Sequence, residues 1–121
     1  MARAGARETA YRKGLWAEAL AALLLTCKGY RILARRYRTP AGEVDIVALR
    51  RRRLAFVEVK VRGTVAAGAH AITAHQQRRI ARAAEHWLAR SPAHLDRDIA
   101  FDVVLLAPWS RPVHIKEAFR V

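Results

Sequence analysis

Cysteine, acidic residues and long apolar runs are all scarce in this chain of 121 residues. The single cysteine, Cys27, excludes an internal disulfide framework and favours a reducing compartment. It falls in an apolar helical pattern, which predicts a buried position. Glu18 interrupts the apolar stretch from Ala17 to Leu25, and no run reaches the ~20 residues that a membrane span requires. The sequence therefore predicts a cytoplasmic protein with no membrane span.

Several familiar motifs are also missing. There is no phosphate loop, no dinucleotide glycine fingerprint and no Cys/His spacing suited to zinc. Ser91 and Ser110 lie beside prolines in predicted turns, so a nucleophilic triad has little support. The tryptophans are interpreted as core or lid residues, with stacking on nucleic-acid bases as the alternative. They are Trp16, Trp87 and Trp109.

Basic residues are abundant. Lys and Arg total 23 against 10 Asp and Glu, which gives a formal net charge of +13. A domain this basic suits a polyanionic partner, with nucleic acid first and an anionic membrane surface second. Solvated basic faces, or the arginine usage of a GC-rich genome, are the alternative explanation. The arginines assigned to nucleic-acid contact are Arg35, Arg36, Arg38, Arg62, Arg78 and Arg79.

Length and hydrophobic content predict one α/β domain. A hydrophobic fraction of 53% argues against disorder. We expect a basic N-terminal arm or helix start over residues 1–13 and a single domain over residues 14–121. The expected order is a helix, three strands, a helix and two strands, with a central mixed sheet flanked by helices. The predicted elements are a helix from about Leu15 to Lys28 ended by Gly29, strands Tyr30–Tyr37, Glu43–Leu49 and Leu54–Val61, a loop Gly63–Ala71, a helix from Thr73 to about Arg90, and strands Phe101–Leu106 and Val113–Lys116.

The second and third strands carry three charges in otherwise apolar sequence. The four-arginine run from Arg50 to Arg53 is the predicted turn of a hairpin between them. Strict alternation places Glu43 and Asp45 on one face with Val47, and it places Glu58 and Lys60 on one face with Leu54 and Phe56. One antiparallel register brings Asp45 beside Glu58 and Lys60.

Two carboxylates and one ammonium would suit a hard divalent cation such as Mg²⁺, with the lysine acting on a water or on developing charge. A cross-strand ion pair on a wet face, contributing roughly 0.2 to 1 kcal/mol, is the alternative. Near-continuous apolar sequence indicates strands covered on both faces, where carboxylates are costly unless paired or bound to metal. This setting favours the metal site.

Three further polar residues have open interpretations. Glu18 falls on the apolar side of the first helix, either as a site residue or at the margin of the stripe beside the positive first turn. Gln76 either reaches the site or completes a capping box with Thr73. Asp102 is interpreted as an edge or pairing residue rather than a metal ligand.

Short motifs across residues 14 to 119 resemble the YraN-type family of small bacterial proteins. They are Gly14, Glu18, Gly29-Tyr30, Gly42-Glu43-Val44-Asp45, Phe56-Val57-Glu58-Val59-Lys60 with Arg62, and Ile115-Lys116-Glu117-Ala118-Phe119. That family is similar to the restriction-endonuclease-like superfamily with its PD-(D/E)XK motif, and in layout to Holliday-junction resolvases. Gln76 and Ala100 depart from the lysine and arginine that the family often shows.

The resemblance implies a restriction-endonuclease-like fold and a nuclease that depends on Mg²⁺ or Mn²⁺. Asp45 and Glu58 would hold the metal, Lys60 would orient or activate water, and Glu18 would complete the site. Glu43 is a possible additional site residue. The implied substrate is nucleic acid, preferably DNA and including branched or flap forms, and a homodimer follows from analogy with junction resolvases.

Two other classes of function stay open from the sequence. A nucleic-acid-binding adaptor would keep the fold and the basic surface without turnover. A module for a membrane surface or a protein partner would account for the charge but not for the acidic residues in the strands.

Overall fold

The computed structural model describes the backbone of residues 2–63 and 72–120, and the side chains from residue 14 onward within those ranges. The elements are α1 (Ala2–Cys27), β1 (Arg31–Thr39), β2 (Gly42–Arg50), β3 (Arg53–Val61), α2 (Ala74–Ala89), a 3₁₀ turn (Pro92–His94), β4 (Asp98–Leu106) and β5 (Val113–Ile115). Their order is the predicted one, and the α/β class of a restriction-endonuclease-like fold is confirmed.

The first helix begins at Ala2, well before the predicted start at Leu15. It thus includes residues assigned to a basic arm or helix start, whose side chains lie outside the described part of the chain. The single domain over residues 14–121 stays a prediction. So does the loop from Gly63 to Ala71, which lies almost entirely outside the described residues.

Gly29 ends α1 as predicted. Its φ of +93° is a left-handed conformation that glycine adopts without a steric penalty. The Tyr30 N–H donates to the Leu25 carbonyl and the Gly29 N–H to the Thr26 carbonyl, both at 3.0 Å. These two bonds form a Schellman motif, which satisfies carbonyls at the helix end.

The start of α2 is fixed by the predicted capping box. The Thr73 hydroxyl accepts from the Gln76 N–H at 3.1 Å, and the Gln76 side-chain oxygen accepts from the Thr73 N–H at 3.0 Å. Both bonds satisfy backbone donors that a helix start would otherwise leave free.

The five strands form one mixed sheet in the order β1-β2-β3-β4-β5. Strands β1, β2 and β3 are antiparallel neighbours, β3 and β4 run parallel, and β5 returns antiparallel to β4. The connection from β3 to β4 contains α2, as a parallel pair requires. The predicted hairpin is confirmed, with Arg50 opposite Arg53 and a two-residue turn between them.

A helix packs on each face of the sheet. On one face Ile80 and Trp87 of α2 pack with Phe56 and Phe101, and on the other Ala21 and Leu25 of α1 pack with residues that include Val57. The central strands are therefore covered on both faces, as their apolar sequence predicted. Within the described part of the chain, no helix is long and apolar enough to cross a membrane.

Gly42 lets α2 lie directly on the β1–β2 turn. A Cβ atom added at Gly42 would stand 1.9 Å from the Arg79 carbonyl oxygen, which is far inside van der Waals contact. Only glycine permits this approach of backbone to backbone. This contact holds the first half of α2 beside the start of β2.

The predicted burial of Cys27 is wrong, and the core interpretation fails for Trp16 and Trp109. Cys27 is exposed because it lies about 200° around the helix from the buried Leu25. Trp16 is exposed for the same reason, since it lies two residues before the inward-facing Glu18, and Trp109 is exposed on the turn after β4. The core interpretation is confirmed only for Trp87.

Candidate metal and nucleic-acid site

The hairpin places Asp45 and Glu58 against each other. Ile46 pairs with Val57, so the next residues along the two strands are Asp45 and Glu58. Their carboxyl groups lie within hydrogen-bonding reach of each other. We call these two residues the Asp45 pair. The predicted register is confirmed.

Strand β2 changes faces at Asp45. Val44 packs on the α2 side of the sheet and Ile46 on the α1 side, although residues two apart in a regular strand share a face. The neighbouring strand is also irregular, because Arg36 has a φ of +52°. The prediction that Glu43, Asp45 and Val47 share one face is therefore wrong, because it assumed uninterrupted alternation.

The irregularity turns the Asp45 carboxylate toward β3. Its Oδ2 accepts a hydrogen bond from the Val59 N–H at 2.8 Å, just past the last paired residues of the β2–β3 ladder. A side chain thus replaces a backbone acceptor at this point, which fixes the position of the carboxylate.

Burial dominates the electrostatics of the Asp45 pair. It raises the pKa of Asp45, and the hydrogen bonds from Val59 and Glu58 together with the Lys60 charge offset only part of this effect. Burial and the nearby Asp45 charge raise the pKa of Glu58 to about 8, against the opposing charge of Lys60. The pair therefore shares a proton near neutral pH, because two adjacent carboxylates without sufficient positive charge resist full ionisation.

Lys60 completes the predicted cluster. Its Nζ lies 3.2 Å from Glu58 Oε1, and both side chains are largely buried. Val57 and Val59 pack on the α1 side, so alternation directs Glu58 and Lys60 to the other face. Their predicted shared face is consistent with this placement.

Glu18 approaches the cluster from α1 without joining it through a contact. It is buried, and its Oε2 lies 3.6 Å from Arg36 Nε, while Oε1 has no hydrogen-bond partner among the described residues. Burial and the charge of Asp45 raise the pKa of Glu18, and the β1 arginines oppose them. Glu18 therefore lies on the buried face of α1, and not at the margin of its apolar stripe.

Two predicted additional residues are engaged elsewhere. The Glu43 side chain is about half exposed and lies 3.5 Å from Arg38 Nη1, so its charge reaches Asp45 only as a weak repulsion. The Gln76 side chain is held in the capping box. The alternative that Gln76 completes this box is confirmed, and its role as a site residue stays a prediction.

The arginines assigned to nucleic acid surround this end of the sheet. Arg35, Arg36 and Arg38 all act electrostatically on Glu18. Arg62 follows Lys60 by two residues, and its N–H donates to the Leu106 carbonyl at 3.0 Å. Arg78 and Arg79 lie on α2, where the Arg79 backbone contacts Gly42. Their contacts with a substrate stay predictions.

Asp102 on β4 is a fully buried carboxylate with several hydrogen-bond partners. Arg53 donates two hydrogen bonds to it, from Nη2 to Oδ1 at 2.8 Å and from Nη1 to Oδ2 at 2.5 Å. The His114 Nε2 lies 2.7 Å from Oδ2, and the Glu117 N–H donates to Oδ1 at 2.9 Å. We call these residues the Asp102 network. The interpretation of Asp102 as a pairing residue is confirmed, and its partners were missed.

The Asp102 network has the opposite electrostatic character. Burial would raise the pKa of Asp102, but the hydrogen bonds from Arg53, His114 and Glu117 outweigh it and hold the pKa well below its usual range. The same pairing raises the pKa of Arg53. Lys28 Nζ lies 2.5 Å from His114 Nδ1, so an ammonium donating there leaves the Nε2–H to donate to Asp102.

The Asp45 pair fits a hard divalent cation by its chemistry. Two adjacent carboxyl groups lie beside one lysine, and the proton that burial and their mutual repulsion favour is one that a cation would displace. Among the described side chains, no three His, Cys, Asp or Glu groups lie close enough to hold a metal ion together. Mg²⁺ takes one or two carboxylates with water and phosphate oxygens, and a magnesium ion at the Asp45 pair stays a prediction.

Comparison with known proteins identifies one family to which this chain is similar. The model of the Uncharacterised protein family UPF0102 matches residues 17–106. A UPF0102 protein of Bradyrhizobium diazoefficiens is 53% identical over 113 residues, which cover 93% of this chain and 85% of the relative. A UPF0102 protein of Rhodopseudomonas palustris is 53% identical over 118 residues, 98% of this chain and 87% of the relative. One of Parvibaculum lavamentivorans is 56% identical over 111 residues, 92% of this chain and 84% of the relative.

Proposed function

The chain belongs to the uncharacterised family UPF0102, the YraN-type family that its motifs resemble, and we propose that it is a metal-dependent nuclease. Its reaction is hydrolysis of phosphodiester bonds in nucleic acid, with DNA as the preferred substrate. The observation that carries the proposal is the Asp45 pair, in which two partly buried carboxyl groups beside Lys60 are left short of positive charge.

Asp45 and Glu58 would hold the cation. The Val59 N–H fixes one oxygen of Asp45, and Lys60 fixes one oxygen of Glu58, so both carboxyl groups are oriented before any ligand arrives. A divalent cation bound there supplies positive charge for the phosphate and acidifies a water molecule. Mg²⁺ and Mn²⁺ both accept oxygen ligands of this kind.

Lys60 acts on the reacting groups. Its Nζ lies 3.2 Å from Glu58 Oε1, and an ammonium has three N–H donors, so others would hydrogen-bond an attacking water or a phosphate oxygen. The water oxygen bonds to phosphorus as the bond to the leaving oxygen breaks, and an ammonium nearby stabilises the negative charge that develops.

Glu18 and the β1 arginines would organise the entrance. The Glu18 carboxylate feels the charge of Asp45, and one of its oxygens has no partner among the described residues. That oxygen would accept a hydrogen bond from a water molecule in the site. Arg35, Arg36 and Arg38 bring positive charge to the same region, where flanking phosphates would bind. Likeness to junction resolvases extends the proposal to branched and flap DNA and to a homodimer in the cytoplasm.

The test is cleavage of labelled four-way junction, flap, single-stranded and duplex DNA, and of one RNA, with Mg²⁺ or Mn²⁺. We expect Asp45→Asn and Lys60→Ala each to lower cutting by about 100-fold or more, since each removes charge stabilisation of several kcal/mol. Asp98→Asn is the matched control, because Asp98 is exposed at the other end of the sheet and pairs only with exposed Arg52 among the described residues. Equal cutting by Asp45→Asn and wild type would refute the assigned site.

The adaptor is the second candidate function. It is favoured by the small number of ligands, because the described side chains contain no cluster of three metal-ligating groups. An adaptor would bind nucleic acid in a salt-sensitive manner and cut none of these substrates with either metal.

A further inference from the structure

Trp109 is the most exposed large apolar side chain of the described residues. Its relative exposure is 105%, so the whole indole projects into solvent from the turn between β4 and β5, residues 107–112. Its φ of +60° is left-handed, which a bulky residue rarely adopts. Neither core packing nor backbone preference accounts for a tryptophan at this position.

The backbone of the turn that carries this ring is restricted. Pro108 and Pro112 restrict the backbone on both sides of Trp109. The Ser110 N–H donates to the Ala107 carbonyl at 3.3 Å, and the Ser110 hydroxyl to the Arg111 carbonyl at 3.2 Å. A ring on a restricted turn loses little conformational entropy when it binds, which suits an aromatic contact residue.

The turn lies at the same end of the sheet as the Asp45 pair. Strands β3 and β4 are parallel, with Lys60 opposite Leu105 and Val61 opposite Leu106. Three residues of extended chain span at most about 11 Å, and neighbouring strands lie about 4.8 Å apart. The Trp109 Cα atom therefore lies within about 16 Å of the Val61 Cα atom, a span of four or five nucleotides at about 3.4 Å each.

The charge around Trp109 suits a polyanion. Residues 103–116 contain no acidic side chain. Arg111 is exposed two residues from Trp109, and Arg62 is joined to the end of β4 through the Leu106 carbonyl. An exposed aromatic ring between basic groups is how sequence-tolerant sites hold single strands, because every base has a face on which an aromatic ring can stack.

Building on the proposed nuclease function, we propose that Trp109 stacks on an unpaired base of the substrate a few nucleotides from the Asp45 pair. The preferred substrate class is then nucleic acid with a single-stranded segment, rather than continuous duplex. Arg111 and Arg62 contact the phosphates on either side of the stacked base. This assignment treats Trp109 as a specificity residue and gives it no part in bond breaking.

Binding measured without metal tests the assignment. The probe is a fluorescein-labelled single strand of about 12 nucleotides, within the range of single-strand site sizes, and the same strand annealed to its complement, both in EDTA. We expect Trp109→Ala to weaken single-strand binding by about 10-fold and duplex binding by less than about 2-fold. We expect Trp109→Phe to retain most single-strand affinity, because it keeps an aromatic face.

Trp16→Ala is the matched control. Trp16 is also exposed, but it lies on α1 and faces away from the inward side of Glu18, so its loss is expected to leave both affinities unchanged. Unchanged single-strand binding in Trp109→Ala, or an equal loss for single strand and duplex, would overturn the assignment and leave the turn to a protein or membrane partner.

The two proposals can fail separately. If Asp45→Asn abolishes cutting while Trp109→Ala binds single strands like wild type, the nuclease stands and the stacking role is wrong. If no substrate is cut but Trp109→Ala still loses single-strand affinity selectively, the nuclease proposal fails and the base contact stands.

Discussion

Two carboxylate sites share one sheet, the fully buried Asp102 and the partly buried Asp45 pair, and they are neutralised to very different extents. Asp102 receives two bonds from Arg53, one from His114 and one from a backbone N–H, and its pKa is held low. Among the described residues, the Asp45 pair has one lysine and one backbone N–H for two carboxyl groups, and both pKa values are raised.

The extent of neutralisation distinguishes a carboxylate with a structural role from one that can bind a ligand. A buried carboxylate with all its partners is already stabilised and has no capacity left for a ligand. A buried pair that must share a proton retains free oxygens and gains positive charge when a cation binds. The following predictions test this distinction, from the largest expected effect to the smallest.

Loss of Arg53 should be the most damaging change to stability. Arg53→Met leaves Asp102 buried with its charge largely uncompensated, which we expect to lower the free energy of unfolding by about 3 to 5 kcal/mol. Urea denaturation measures this quantity. Arg52→Met is the control, because its pairing with exposed Asp98 should be worth less than about 1 kcal/mol. If Arg53→Met lowered the free energy of unfolding by less than about 1 kcal/mol, Asp102 would not depend on Arg53 as described.

Removal of a carboxylate from the Asp45 pair should have the opposite effect on stability. Glu58→Gln removes a group that burial disfavours as a carboxylate, so we expect the metal-free protein to gain stability at pH 8. Each unit of pKa displacement corresponds to about 1.4 kcal/mol, and we expect a gain of about 1 to 2 kcal/mol. Urea denaturation in EDTA measures this gain in stability. A variant less stable than wild type by about 1 kcal/mol or more would contradict the conclusion that burial disfavours the Glu58 carboxylate.

The gain in Glu58→Gln should depend on pH. Because the pKa of Glu58 is raised in the fold, the folded protein binds more protons than the unfolded chain between the ordinary value and about 8, and stability falls as pH rises through that window. At pH 4.5 we expect the variant and wild type to agree within about 0.5 kcal/mol, because Glu58 is protonated in the fold there and is about half protonated in the unfolded chain. If the difference in stability between Glu58→Gln and wild type did not change with pH, its cause would be packing and not the ionisation of Glu58.

Acid should act on the Asp102 network in the reverse direction. The pKa of Asp102 is lowered in the fold, so its contribution is present above the ordinary aspartate pKa and is lost as pH falls below it. We expect Asp102→Asn to be less stable than wild type at pH 7, with a difference that narrows toward pH 2. A difference that widens in acid would contradict the ion-pair description.

The smallest effect is expected at an exposed pair on the same strand as Asp45. Glu43→Gln removes the partner of Arg38 at a site where both side chains are at least half exposed, so we expect a change under about 0.5 kcal/mol. Its metal binding should match wild type, because Glu43 lies outside the Asp45 pair. Metal affinity lowered as strongly as in Asp45→Asn would place Glu43 inside the site.

The cluster of Asp45, Glu58 and Lys60 was predictable because a two-residue turn fixes the register of a hairpin. The inward position of Glu18 and the capping box of Gln76 followed from local spacing along a helix. Each of these inferences depends only on neighbours in sequence or on one turn.

Other features depend on contacts that no local pattern contains. The change of faces at Asp45 accompanies an irregularity in a second strand, at Arg36. Arg53 meets Asp102 only because β3 and β4 are parallel neighbours, joined through α2. The exposure of Cys27 shows that an apolar helical segment does not by itself determine which residues face the core.

Calorimetric titration with Mn²⁺ tests the central claim, that the Asp45 pair holds a divalent cation. We predict one ion bound per chain with release of a proton, detected as a dependence of the binding heat on buffer ionisation. Binding should be lost in Asp45→Asn and Glu58→Gln and retained in Asp98→Asn. No binding to the wild type at millimolar Mn²⁺, or equal binding in all three variants, would contradict the claim.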